Sequence, residues 1–375
     1  MTIKIKHVTK MSELEQLSLQ EQDKLQEVVK KFPFRSNDYY LSLIDWNDPN
    51  DPIRRIIVPN LGELESWGFL DPSNEQEYTV LPGLEHKYSS TVLLMVSNDC
   101  EGICRYCYRK RVFLDSEQKY LKDISGAMEY ISEHPEVTNV LLSGADPLTL
   151  PTKELENIIK PLRQINHIQI IRIGTRVPSF NPYRIINDPS LLEMLNRYSM
   201  DNKKIYIMTH FIHPRELTNV AYTGITLLQN AGAIISNQFP LIRGVNDDSG
   251  VLAELLNKVS YVGITPYYIF QCRPTTGNKG YSVPIEEGYA IIEKPMRNLS
   301  GLAKRFRFVM AHTSGKVEII GIRDGFVYLK FHRSANYENS EQFFIVKSNS
   351  KAYWLEDYQE ILNQYLVSIP FQNQV

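Results

Sequence analysis

Three cysteines, Cys100, Cys104 and Cys107, fall within eight positions of a 375-residue chain that has four in all. The spacing is Cys-x3-Cys-x2-Cys. Three thiolates this close suit three irons of a [4Fe-4S] cluster, and the fourth iron is then open to a small molecule. That arrangement serves to cleave S-adenosylmethionine reductively. Zinc would want a fourth ligand, usually in paired Cys-x2-Cys units, and Cys272 is remote in sequence. A disulfide framework would want an even set and a secretory context, and the opening Met1–His7 stretch has no apolar signal core.

Such a loop needs a frame to hold it. From about residue 90, short apolar runs (92–96, 137–143, 168–173, 205–208, 233–236, 264–269) alternate with helical patterns (118–132, 152–164, 216–231, 247–258, 285–298). Six strands alternating with helices predict an α/β fold of parallel units. Right-handed crossovers curl such a series into a partial (β/α)6 barrel. Sites in such folds gather at the C-terminal strand ends. Every unusual loop here follows a strand: the cysteine loop, Ser143–Pro147, Gly174–Arg176, Thr209–Phe211, Asn237–Gln238 and Gln271–Arg273.

Three parts are predicted. Residues 1–85 read as an N-terminal helical extension, with capping boxes at Ser12/Glu15 and Ser18/Glu21 and a helix ended by Pro33. Residues 86–304 form the barrel core. Residues 305–375 read as a C-terminal segment. It has a β-hairpin (317–321 with 326–331) around Asp324-Gly325, a further strand at 342–347 and a final helix over 354–366.

Hydrophobic content of 43% and charge of 22% are ordinary for a globular chain. A net charge of −2 offers no general attraction to nucleic acid or an acidic membrane. No uncharged apolar run approaches a membrane span. A cytoplasmic, reducing setting is expected, as an exposed iron–sulfur cluster requires. The basic run Arg105, Arg109, Lys110 and Arg111 beside the cysteines suits anionic cofactors and substrate.

Several segments, in order, carry a resemblance. They are Pro82–Tyr88, the cysteine loop through Phe113, Leu142-Ser143-Gly144-Ala145-Asp146-Pro147-Leu148, Ile171–Pro178, Thr209–Glu216, Asn237–Asp247 and Pro266–Cys272. Over about Pro82 to Lys316 the chain resembles the lysine 2,3-aminomutase family of radical S-adenosylmethionine enzymes. The resemblance implies a radical aminomutase, in which nitrogen moves from Cα to Cβ of an amino acid held as an imine on pyridoxal phosphate. It implies that Cys100, Cys104 and Cys107 ligate the cluster. It implies that Ser143, Gly144 and Asp146 hold the methionine end of S-adenosylmethionine, and that Arg109 binds the substrate α-carboxylate. Lys316, in His312-Thr313-Ser314-Gly315-Lys316, matches the pyridoxal-binding lysine of a glycine-rich loop, and Asn237 and Gln238 match residues near the ring. Arg176 and His210, at strand ends, either contact cofactor or pair internally. The implied partners are a small amino acid and an electron donor such as flavodoxin or ferredoxin. A homodimer is expected.

Three positions depart from the family pattern. The arginine that grips the pyridoxal phosphate group should closely follow Tyr88, yet the chain reads Ser89-Ser90-Thr91. The two aspartates that hold the substrate lysine's distal ammonium are replaced by Arg273 and Ala311. A guanidinium beside an ammonium repels it, so an acidic side chain, glutamate- or aspartate-like, fits Arg273 best. Two other readings stand beside this one. One is a pyridoxal-independent radical epimerase or oxidase. The other is a non-catalytic iron–sulfur sensor.

Overall fold

The computed structural model describes residues 3–114, 120–121 and 123–358. The N-terminal region carries helix α1 (Leu19–Lys31) and a two-stranded antiparallel sheet pairing His7–Val8 with Ser36–Asn37. Ser18 caps α1 by accepting from the Glu21 N–H at 3.3 Å, as expected. The Ser12/Glu15 box does not form. A 3-10 turn, Met11–Glu13, takes its place, and Glu13 bends back to accept from the Lys10 N–H at 3.0 Å.

One twelve-stranded sheet then follows the chain in sequence order. Its strands are β1 (Thr79–Leu81), β2 (Leu84–Tyr88), β3 (Thr91–Ser97), β4 (Asn139–Gly144), β5 (Ile170–Thr175), β6 (Ile205–Thr209), β7 (Ile234–Pro240), β8 (Thr265–Phe270), β9 (Arg307–His312), β10 (Gly315–Arg323), β11 (Phe326–Ser334) and β12 (Phe343–Lys347). Neighbours from β3 to β9 are parallel; those outside are antiparallel. Parallel strands need crossovers. These are α2 (Ile124–Glu133), α3 (Thr152–Gln164), α4 (Pro189–Tyr198), α5 (Asn219–Asn230), α6 (Ser249–Tyr261) and α7 (Ile285–Met296). Each crossover buries a stripe at helical spacing, such as Leu155, Ile158, Ile159 and Leu162 of α3.

Period-two alternation divides each strand between two duties. Val140 and Leu142 of β4, and Ile171 and Ile173 of β5, are fully buried. Their alternates, Leu141, Ser143, Arg172 and Gly174, face a cavity on the opposite side. The sheet curls around that cavity so that its early and late strands touch. The Tyr78 hydroxyl donates to the Thr313 carbonyl at 2.9 Å, and Lys87 Nζ to the His312 carbonyl at 2.8 Å.

Two expectations need correction. The parallel series has a seventh strand, β9, so the sheet runs on across residue 304 without a break. Its core, Phe308 to Ala311, is a four-residue buried apolar run, too short for periodicity to assign. Lys316 does not sit on a loop; it is the second residue of β10, opposite Ala311 of β9. The helix expected over 118–132 partly overlaps residues outside the described set, and α2 begins at Ile124. Most of the helix expected over 354–366 also lies outside the described residues; the described part contains a 3-10 turn, Leu355–Asp357. Among the described residues, no helix is long and apolar enough to cross a membrane.

Candidate active site

The cavity has a volume of about 350 Å³. Cys100, Cys104 and Cys107 line one end of it, and Lys316 and Arg273 also face it. Arg109, Ser143, Gly144, Asp146, Arg176, His210 and Gln238 complete the set that the sequence singles out. Asn237 does not reach it. Consecutive strand residues face opposite ways, and Asn237 is spent on the backbone of Phe211, accepting from its N–H and donating to its carbonyl at 2.9 Å each. Asn237 thus braces the His210 loop from behind.

The cysteine loop is clamped from two sides. Arg105 is fully buried and donates to both oxygens of buried Glu63, at 2.9 and 2.8 Å, and to the Pro33 carbonyl at 2.7 Å. The N-terminal region thereby grips the loop. Arg176 grips it from the barrel. Its Nη1 donates to Cys104 Sγ at 2.9 Å and to the Tyr106 hydroxyl at 2.7 Å, while Nη2 pairs with buried Glu216. His210 Nε2 lies 3.1 Å from the same hydroxyl. Burial and the adjacent Arg176 hold His210 well below its usual pKa, so it is neutral. Arg176 and His210 both pair internally and position the loop, and both also line the cavity. Removing one member of such a buried ion pair costs about 3–5 kcal/mol.

Among the described residues, no three His, Cys, Asp or Glu side chains are arranged to hold a single metal ion. The fit to a cluster rests on the donor set: three thiols at one end of a cavity, with a guanidinium donating to one sulfur.

Ser143, Gly144 and Asp146 answer to local structure first. Gly144 has φ +111°, and a Cβ there would lie 2.4 Å from the Ser97 carbonyl oxygen. Glycine is required for β3 and β4 to meet. Asp146 Oδ1 caps a short 3-10 turn by accepting from the Leu148 N–H at 3.0 Å. Its Oδ2 accepts from the Arg176 N–H at 2.7 Å and the Thr175 hydroxyl at 3.0 Å. Burial still pushes its pKa up to about 6.

Arg109 donates through Nε to Glu75 Oε1 at 3.1 Å and through Nη1 to the Ser143 hydroxyl at 2.8 Å. Arg111 pairs with the same Glu75. Glu85 lies nearby, and burial, reinforced by the Glu75 charge, pushes its pKa up to about 8 against an ordinary 4.5. The folded state thus keeps a proton that the unfolded chain loses near pH 4.5. Stability is present below that pH and is lost as pH rises toward 8. Glu85→Gln should melt close to the wild type at pH 5 and a few degrees above it at pH 8. Thermal unfolding at the two pH values checks this; a pH-independent difference would sink it.

Around Lys316 the cavity gathers cations whose hydrogen bonds go to neutral groups, while Glu75 acts through space on Lys87 and Arg273. Lys87 donates to a carbonyl, and Arg172 donates to Asn139 Oδ1 at 2.8 Å. Arg273 lies over the Tyr108 ring at 3.8 Å, with a buried Nη1 that no acceptor meets. Lys316 Nζ lies over the rings of Tyr268 and Phe270 at 4.7 and 4.8 Å. Burial, then Arg273, Arg172, Arg333 and Lys87, hold the Lys316 amine well below its usual pKa. A neutral primary amine is nucleophilic, and surplus positive charge awaits an anion. These residues fit an aldehyde-bearing phosphorylated cofactor. Sequence reasoning missed Glu75, Lys87, Arg172, Tyr268 and Arg333. Lys87, Arg172 and Tyr268 stand in segments the resemblance uses, Glu75 and Arg333 do not, and none of the five follows a strand as a loop signal.

Comparison with known proteins places these features in context. The Radical SAM superfamily model matches residues 94–256. An L-lysine 2,3-aminomutase of Aquifex aeolicus, provisionally so named, is 46% identical over 98% of both chains. The L-lysine 2,3-aminomutase of Clostridium subterminale is 38% identical over 80% of this chain and 71% of its own. The glutamate 2,3-aminomutase of Clostridioides difficile is 34% identical over 80% of this chain and 70% of its own.

Proposed function

The chain belongs to the lysine 2,3-aminomutase family of radical S-adenosylmethionine enzymes, and from that premise we propose that it moves the α-amino group of an acidic amino acid to the β-carbon. It is an isomerase that uses a [4Fe-4S] cluster, S-adenosylmethionine and pyridoxal phosphate. When bound, these groups supply one-electron cleavage chemistry and a conjugated ring that spreads radical character. The residues of this chain bind, orient and seal.

Cys100, Cys104 and Cys107 would hold the cluster, with Arg176 and Tyr106 keeping the loop in place. Ser143 and the Gly144–Asp146 turn would cradle the methionine end of S-adenosylmethionine. Lys316 would hold pyridoxal phosphate through its aldehyde, with Gln238 beside the ring. Arg109 is anchored by Glu75 and Ser143, and its remaining N–H groups would take the substrate α-carboxylate. A flavodoxin or ferredoxin is the proposed reductant. The proposed oligomer is a homodimer. Residues 1–85 are read as the loop clamp, and the partial barrel is read as running through β9 to the β10–β11 pair that carries Lys316.

Arg273 carries the acidic-substrate reading. Its buried Nη1 has no acceptor, and burying an unpaired charged donor is costly unless a ligand meets it. Arg172, Arg333 and Lys87 act on the Lys316 amine together with Arg273, so the ammonium of lysine would meet repulsion beside them. The names of two relatives favour lysine instead, and one experiment separates the readings. Reconstituted, reduced enzyme is incubated anaerobically with glutamate, aspartate, lysine and neutral amino acids, and the β-amino isomers are resolved by chromatography and mass spectrometry. Aspartate needs a carbon label, because its shifted product has the same constitution. Turnover of an acidic amino acid well above that of lysine is expected. Lysine turned over as well or better would overturn the proposal.

A further inference from the structure

The turn between β2 and β3 lacks the arginine that would grip a cofactor phosphate, and the fold brings another from a distant strand. Arg333, near the end of β11, donates through Nη2 to the Thr91 hydroxyl at 3.1 Å and to the Ser90 hydroxyl at 3.3 Å. Its guanidinium lies over the Tyr88 ring at 4.3 Å. A residue more than 240 positions away in sequence thus covers Tyr88, Ser90 and Thr91, where the cation is missing.

Register makes this placement specific. Arg333 is the β-ladder partner of Lys316 across β10 and β11. Paired residues of an antiparallel ladder share a face with neighbouring Cβ atoms. The ladder is held tight at this point, because a Cβ on Gly315 would lie 2.1 Å from the Arg333 carbonyl oxygen. The amine and the guanidinium therefore project side by side into one cavity. Arg333 helps to hold the Lys316 amine below its usual pKa.

We propose that Arg333, with the hydroxyls of Ser90 and Thr91, binds the phosphate group of pyridoxal phosphate. This rests on Lys316 being the residue that holds the cofactor's aldehyde. Arg333 uses one acceptor lone pair of each hydroxyl, and the two hydroxyls lie 3.5 Å apart, so one O–H bridges them and the other stays free to donate to a phosphate oxygen. The other N–H groups of the guanidinium have no protein partner among the described residues. Guanidinium and hydroxyl donors converge on one spot, which suits a multiply charged oxyanion. Arg333 is then specific for the phosphate, whereas Lys316 serves phosphorylated and unphosphorylated pyridoxal alike.

The test compares binding of pyridoxal phosphate and of pyridoxal to cluster-reconstituted, full-length protein, followed by cofactor absorbance. Arg333→Met should weaken pyridoxal phosphate binding roughly ten- to hundredfold, the weight of one charge-assisted contact, and leave pyridoxal binding within about twofold. Arg333→Lys should fall between, and Thr91→Val should shift the same ratio by less. These two variants carry the test if Arg333→Met does not fold. An unchanged preference for the phosphorylated form in all three variants overturns the proposal. So does an equal loss of both ligands, which would mark a structural role. If the wild type binds neither ligand, or if Lys316→Ala keeps the absorbance, the Lys316 assignment itself falls. A wild type that binds both ligands equally well overturns the Arg333 assignment alone.

Discussion

Lys316→Ala is expected to lose the visible absorbance of bound pyridoxal phosphate and to lower aminomutation on the order of a thousandfold or more. The expectation rests on the setting of this amine. Lys316 lies over two aromatic rings, and burial with four nearby cations holds its amine well below the usual lysine pKa. An exposed lysine is almost wholly protonated at neutral pH and is a poor nucleophile. Burial and the neighbouring cations push this one toward its free-amine form without help from a base. Iron and sulfide content should be unchanged in the variant, because Lys316 makes no contact with the cysteine loop. Lys316→Arg restores bulk but puts a fixed charge where a free amine is needed, and should be as inactive as the alanine variant. Turnover above about a tenth of wild type in either variant would remove Lys316 from the chemistry.

Arg273→Asp is expected to lower kcat/KM for an acidic substrate roughly a hundredfold or more, the weight of a desolvated charge pair turned into a repulsion. The same change should raise turnover of lysine from near zero. Burial against Tyr108 leaves Arg273 little freedom to turn away. An independent readout accompanies this one. Among the charges that depress the Lys316 amine, Arg273 is the strongest. Replacing that cation with an anion should raise the amine's pKa, so cofactor attachment should need a higher pH than in the wild type. Arg273→Met, which removes the charge without inverting it, should shift both quantities part of the way. Unchanged selectivity together with an unchanged pH profile would put Arg273 outside the substrate pocket.

The cysteines and the lysine that line the cavity were legible in the sequence because local constraints write them there. Three cysteines within eight positions have few other uses, and loops at strand ends follow from the βα period. The charge at position 273 was readable too, since a single substitution changes its sign whatever the packing. Local geometry took other residues out of reach of direct reading. Asn237 and Gln238 are adjacent in sequence and opposite in space, so only one of them faces the cavity. Asp146 looks like a free carboxylate until its oxygens are seen capping a turn and holding the next strand end.

What the order of residues determined by itself is a parallel α/β frame with a cluster loop and an amine near its end, because periodicity, glycine and cysteine spacing act over a few residues. The tertiary structure alone decided which cations share the amine's cavity. Lys87, Arg172, Arg273 and Arg333 come from strands or loops far apart in the chain, and only the curl of the sheet brings them to Lys316. Charge acts through space, and no local pattern in the sequence measures that distance.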